Sequence, residues 1–193
     1  MTTRTSILNP GTLAEVSANR TAKTTAKVVG ASLFMALCAH VSIPLIFSPV
    51  PITLQPFGVL LIGMLLGSRA GSAALVLYLL EGAAGLPVFS PAGPGGLLQL
   101  LGPTGGFLMA SPLAAFLAGK IFETRKTLTG ALMGSVAAEL ALFTFGAAWL
   151  MTTMHVSLAS ALALAVLPYI PGEVLKVAAA SAIVTRWTSQ QVS

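Results

Sequence analysis

Apolar residues in this chain come in long blocks and do not alternate with polar ones. The blocks cover roughly 26–47, 57–67, 70–86, 104–120, 128–151 and 158–185. Between them lie "PLIFSPVPITLQP" (44–56), "GSRAG" (67–71), "PVFSPAGPGGLLQLLGPTG" (87–105), "KIFETRK" (120–126) and "TTMHVS" (152–157). A helix crosses a bilayer core with about 20 apolar residues, so the pattern predicts six spans. The second block is short, which predicts a tilted or incomplete span, or one that begins within the preceding loop. Pro168 and Pro171 interrupt the last block. Proline inside a helix removes a backbone bond and clashes one turn back, but it suits the first helical position. The last span is therefore predicted over 171–187, after a short helix over 158–167 on the outer side.

Composition turns this pattern into a fold class. Hydrophobic residues make up 55% of the chain and charged residues 8%, with a mean hydropathy of +0.91, whereas soluble domains carry about 25% charged residues. The expected fold is an all-α integral membrane protein, a six-transmembrane-helix bundle without a soluble domain. Residues 1–22 lack the apolar core of a signal peptide and read as a polar N-terminal tail. A single membrane domain is expected over 23–187, with a short C-terminal tail over 188–193. No internal repeat relates the halves, which argues against a carrier that rocks two inverted repeats around a midplane site.

The charges set the topology. Arg4, Arg20, Lys23 and Lys27 precede the first span, and Arg69 lies between the second and third. Lys120, Arg125 and Lys126 lie between the fourth and fifth, and Arg186 follows the sixth. Nine of the ten basic residues thus fall on one side. The positive-inside rule makes that side, and both termini, cytoplasmic. The net charge of +5 is spent on topology and forms no basic face with aromatics, so no nucleic acid partner is expected. The outer loops contain no Lys or Arg, and two of them are long and rich in Pro and Gly. Irregular backbone near a membrane is tolerated where it lines a cavity, so the outer face is the expected place for a binding site.

Lys176 is the exception to the charge pattern. In "PYIPGEVLKV" (168–177) it follows Glu173 by three positions, on the same helix face. Intramembrane charges are costly and mark functional sites, although a structural ion pair tying this helix to its neighbours is the plainer reading. At the start of the last span the pair lies near the outer face, beside free backbone N–H groups. Such a site matches a small ligand with N–H groups and an anionic end. Glu139 reads first as a carboxyl paired or protonated within the bundle, with a proton relay as the sharper alternative; Glu81 either lines the outer cavity or caps a helix. His40 reads as a bundle residue. Gln55 and Gln99 can bond a ligand or the loop backbone. One cysteine, Cys38, excludes an internal disulfide. The histidines have no metal-ligand spacing, so no metal or cofactor is expected. Neither a nucleotide-binding G-x-x-x-x-G-K-[ST] nor a hydrolase arrangement occurs, so the chain does not read as an enzyme, and energy must come from an ion gradient or another subunit.

Three stretches carry a resemblance: "SIPLIFSPVPITLQPFGVLLIGMLLGSRAG" (42–71), "YLLEGAAGLPVFSPAGPGGLLQLLGPTGGFL" (78–108) and "PYIPGEVLKV". In this order they resemble the BioY family, the biotin-specific substrate-binding (S) components of energy-coupling-factor (ECF) transporters. The resemblance implies biotin as ligand, the bacterial cytoplasmic membrane as location, and a transmembrane coupling protein with two ATPase subunits as partners. The family's P-G-[DE]-x-x-K stretch maps its ligand contacts onto Glu173 and Lys176, with glutamate where aspartate is common. An amide from the outer-loop region contributes in relatives, which points to Gln99. Small residues on the first helix form the coupling face in related S components, which implies Ser32, Ala36 and Ala39; Ala22, Ala26 and Gly30 precede them at a similar small-residue spacing. The competing expectations are a solitary proton-coupled carrier of a vitamin-like molecule, with Glu139 and His40 as relay, and a scaffold that only holds partners.

Overall fold

The computed structural model describes residues 10–190, with side chains from residue 18 onward. Helix α1 spans Pro10–His40 and leads into an antiparallel hairpin of β1 (Ser42–Leu45) and β2 (Ser48–Thr53). Helices α2 (Gln55–Leu66) and α3 (Ser68–Ala83) follow, then a short α4 (Gly96–Leu101). Helices α5 (Gly105–Thr124), α6 (Leu128–Met154), α7 (Leu158–Ala165) and α8 (Ile170–Gln190) complete the chain.

Six of these helices, α1, α2, α3, α5, α6 and α8, correspond to the six apolar blocks. Among the described residues, Ala18–His40, α5 and α6 are each long and apolar enough to cross a membrane. The pair α7 and α8, bent by 55°, makes a fourth candidate. Helix α2 starts inside the preceding loop and still has only 12 residues, and α3 has 16; both fall short of the ~20 that a full crossing needs. Large apolar side chains such as Leu37, Leu65, Leu140 and Leu175 are exposed. A water-solvated bundle of this size would not leave so many uncovered, and the chain is a multi-pass membrane protein.

The expected all-α class needs one correction, the hairpin. Its pairs are Ser42↔Thr53, Ile43↔Ile52 and Leu45↔Ser48, and the register slips between Ile43 and Leu45, at Pro44. Prolines in "IPLIFSPVPIT" argue against a strand in the middle of a sheet, because proline cannot donate to a ladder. A two-stranded ribbon has outward edges on both strands, and Pro44, Pro49 and Pro51 are accommodated there. The pairing satisfies backbone groups that would otherwise lie unbonded close to lipid.

Residues 10–22, within the expected polar tail, are helical and continue into α1, and residues 1–9 and 191–193 lie outside the described residues. At 31 residues α1 is roughly 46 Å long, more than a hydrocarbon core of about 30 Å requires. At the other end α8 runs to Gln190, past the predicted residue 187. Its start at Ile170, with Pro171 in the first turn, follows the proline logic of the sequence.

Helix α5 packs on α2, α3, α4 and α6, while α8 packs on α2 and α6. Small residues let these helices approach closely. A Cβ on Gly63 would sit 2.3 Å from the Ala115 carbonyl, and one on Gly119 would sit 2.4 Å from the Gly63 carbonyl. The turn after α2 is held by Gly67, whose φ of 85° favours glycine. There the Glu123 carboxylate of α5 accepts from the Ser68 N–H at 2.7 Å and from its hydroxyl.

Candidate ligand-binding site

One cavity gathers half of the buried polar side chains, among them Gln99, Glu139 and Glu173. The start of α8 supplies Glu173, β2 supplies Thr53, α2 supplies Gln55, α4 supplies Gln99, and α6 supplies Glu139. Between them the walls are apolar, from Met35, Val59, Phe107, Leu142 and Phe143. The space open to water centres is about 80 Å³, where one water needs roughly 10–15 Å³ on that measure.

Glu173 and Lys176 form an ion pair of 2.7 Å, and both side chains are largely buried. The Lys176 ammonium also donates to the Thr53 carbonyl at 2.7 Å. Lys176 thus ties α8 to the last residue of β2 and is not among the side chains lining the cavity. It fixes one carboxylate oxygen, Oε1, and leaves Oε2 of Glu173 buried without a hydrogen-bond partner.

The hairpin is pinned at a second place. Tyr169, in the α7–α8 turn, donates a short hydrogen bond to the Val50 carbonyl and lies 3.0 Å from the Ser48 hydroxyl. Ser48 donates in turn to the Leu164 carbonyl at 2.7 Å. Two strongly bonded points therefore hold β2 over the end of the bundle.

The two amides are both built into the site. Gln55 Nε2 donates to the buried Tyr78 hydroxyl at 3.0 Å, so what Gln55 can present is its oxygen. Gln99, buried on α4, accepts from the Gly95 N–H at 3.0 Å, so what it can present is its NH₂ group. The glycines of "AGPGG" explain this geometry: Gly95 and Gly96 have positive φ, and a Cβ on Gly93 would sit 2.8 Å from the Gln99 side chain.

Helix α5 contributes Ser111 and Leu108 at Pro112. Proline there removes a helical donor to Leu108, and the Ser111 hydroxyl takes that carbonyl at 2.7 Å instead. Trp149 Nε1 donates to the Gly102 carbonyl at 2.9 Å and anchors the "GPTGG" turn to α6.

Glu139 lies one turn on from Ser135, which touches Ser181 of α8 at 3.3 Å. It is buried, lines the cavity, and is close enough to Glu173 and Lys176 to feel both charges. Its Oε1 has no hydrogen-bond partner among the described residues, so the pairing expected within the bundle is not found. His40 is exposed, with Nδ1 on the Ala36 carbonyl at 2.8 Å of its own helix, and the fold does not bring it together with Glu139. Glu81 receives a short hydrogen bond from the Ser32 hydroxyl and joins α3 to α1, away from the cavity.

Of the residues read as a coupling face, Ser32 and Ala39 are fully buried and Ala36 is half-buried. They pack into the bundle because α1 lies against α2 and α3 along this stretch. The exposed small residues of α1 are Ala18, Ala22, Ala26 and Gly30, which line an open groove.

An apolar-walled cavity with a few converging polar groups, set in a membrane helical bundle, defines a membrane protein that binds a small molecule. Residues 10–191 match the model of the BioY family, and the chain belongs to that family. A Pyrococcus horikoshii protein named "Probable biotin transporter BioY" is 38% identical over 158 residues, 80% of this chain and 91% of the relative. The "Biotin transporter BioY" of Thermotoga maritima is 34% identical over 169 residues, covering 86% and 98%. A crystal structure of the S-component for biotin from an ECF-type ABC transporter superposes with a TM-score of 0.80 at 29% identity, covering 89% of this chain and 93% of that one.

Proposed function

We propose that this protein captures biotin for uptake across the bacterial cytoplasmic membrane, as the substrate-binding subunit of an ECF-type transporter. The observation that carries the reading is Glu173: a buried carboxylate, held by Lys176 on one oxygen, turns its other oxygen unpartnered toward the cavity. Biotin's ureido ring offers two N–H donors and a carbonyl acceptor. The carboxylate suits an N–H, the Gln99 NH₂ group suits the carbonyl, and the apolar walls suit the thioether ring. Glu173, Gln55 and Gln99 are then contact residues, and Lys176 holds Glu173 in place.

Orientation follows from charge. The described lining of the cavity contains carboxyls and no basic side chain. An anionic tail finds no cationic partner among these side chains, so the ureido ring goes toward Glu139 and Glu173 and the valerate points to the mouth. Six helices traverse the membrane in this reading, α2 and α3 as shortened spans, with both termini cytoplasmic, in keeping with the distribution of basic residues. A transmembrane coupling protein and two ATPase subunits are the partners, and the coupling protein docks on the exposed Ala18, Ala22, Ala26 and Gly30 side of α1.

Calorimetric titration of the purified protein with biotin, and with thiamine as control, tests the reading. Saturable binding of biotin alone is expected, and so is near-equal binding of biotinamide, whose neutral tail changes only the mouth. No heat and no thermal protection by biotin would overturn the assignment; loss of biotinamide binding would reverse the orientation.

A further inference from the structure

Among the described residues, several other buried polar side chains pair with one another. Ser135 meets Ser181, Ser32 meets Glu81, Gln55 meets Tyr78, and Ser48 meets Tyr169. Among the described residues the buried side-chain oxygens without a partner are Glu139 Oε1 and Glu173 Oε2. Both residues are more than nine-tenths buried, at 7% and 6% exposure, and both line the same cavity. A buried polar atom with no partner is costly, and a structure that bonds its other buried polar groups does not strand two in one place without a use.

We infer that Glu139 is a second ligand-holding carboxyl, so that Glu139 on α6 and Glu173 on α8 each accept one of the two N–H groups of a cyclic urea. The inference rests on the biotin reading above. The two carboxyls do different work. Glu173 is fixed from behind by Lys176, whose ammonium is itself held by the Thr53 carbonyl. Glu139 has no such brace, and its remaining donors must come from water or from the ligand. Water can stand in while the cavity is unliganded, and an N–H of the ring replaces it on binding. A pair of acceptors on two helices selects a ring with two N–H groups over one with a single donor. It thereby discriminates against cyclic amides of similar shape, which carry a single N–H.

The test uses the full-length protein with biotin and with two biotin analogues, each methylated at one ring nitrogen. Glu139→Leu should weaken biotin binding about ten- to a hundred-fold. For the analogue that already lacks the N–H facing Glu139, the same substitution should cost no more than about two-fold. Glu139→Gln keeps an acceptor oxygen and should recover part of the loss. If the leucine variant does not fold, the glutamine variant decides with the same analogues, since its smaller loss should again vanish for one analogue only. Wild-type affinity for biotin in folded variants would overturn the inference alone. Equal losses for biotin and both analogues would also overturn it, by showing a structural role. No biotin binding by the wild type would instead bring down the reading on which it rests.

Discussion

At the scale of the residue, the charge pair in "PYIPGEVLKV" is the most legible part of the site. Its cost in lipid made both residues visible, but not the division of labour between them. Sequence reading treats Lys176 as a ligand contact, whereas the structure turns its ammonium to Glu173 and to the Thr53 carbonyl. That bond joins positions 123 residues apart, and no local pattern encodes it. Glu139 was also visible, as an acid in an apolar helix, yet the cavity it faces depends on α4 and β2. Lys176→Met should lower stability by about 3–5 kcal/mol, because breaking a buried pair strands a charge. The double variant Glu173→Gln with Lys176→Met should lose less, since no charge is left behind. Thermal unfolding in detergent measures both, and equal losses would show that the pair is not coupled.

At the scale of the element, the long helices follow from the apolar blocks, and the Pro-started α8 follows from Pro171. What the blocks conceal is the cover over the cavity, the hairpin and α4. The hairpin contains three prolines within β1 and β2, which local propensity reads as loop, and α4 has six residues, too few for a periodic signal. Both form because tertiary contacts hold them: Tyr169 and Lys176 hold β2, and Gln99 folds its own glycine loop around its amide. Tyr169 stands inside the quoted motif, but nothing in the sequence links it to Val50. Gly93→Ala tests the glycine loop, because its Cβ would press on the Gln99 amide at 2.8 Å. The fold should survive, as the clash is with the Gln99 side chain on the short α4 and not with backbone. Biotin affinity should fall by about 1–2 kcal/mol, the scale of one displaced hydrogen bond, and an unchanged titration would remove Gln99 from the site.

At the scale of the whole molecule, the surfaces proposed for capture and for coupling lie on different parts of the bundle. The cavity lies under the hairpin and α4, while the exposed half of α1 carries Arg20, Lys23 and Lys27 on the side assigned to the cytoplasm. Helix α1 is longer than a bilayer core requires, and its residues 18–27 are exposed on every face. Such a stretch has no folding reason to keep Ala18, Ala22, Ala26 and Gly30 in line on one side, because small residues there pack against nothing within the chain. A partner helix approaching closely gives them one. The double variant Ala22→Trp with Ala26→Trp should therefore leave biotin titration within about two-fold of wild type, since neither position lines the cavity. Biotin uptake into vesicles containing the coupling and ATPase subunits should fall at least about ten-fold, through lost van der Waals contact and close approach. Normal uptake by this variant would place the docking face elsewhere. Loss of both binding and uptake would mean that the two surfaces are not independent.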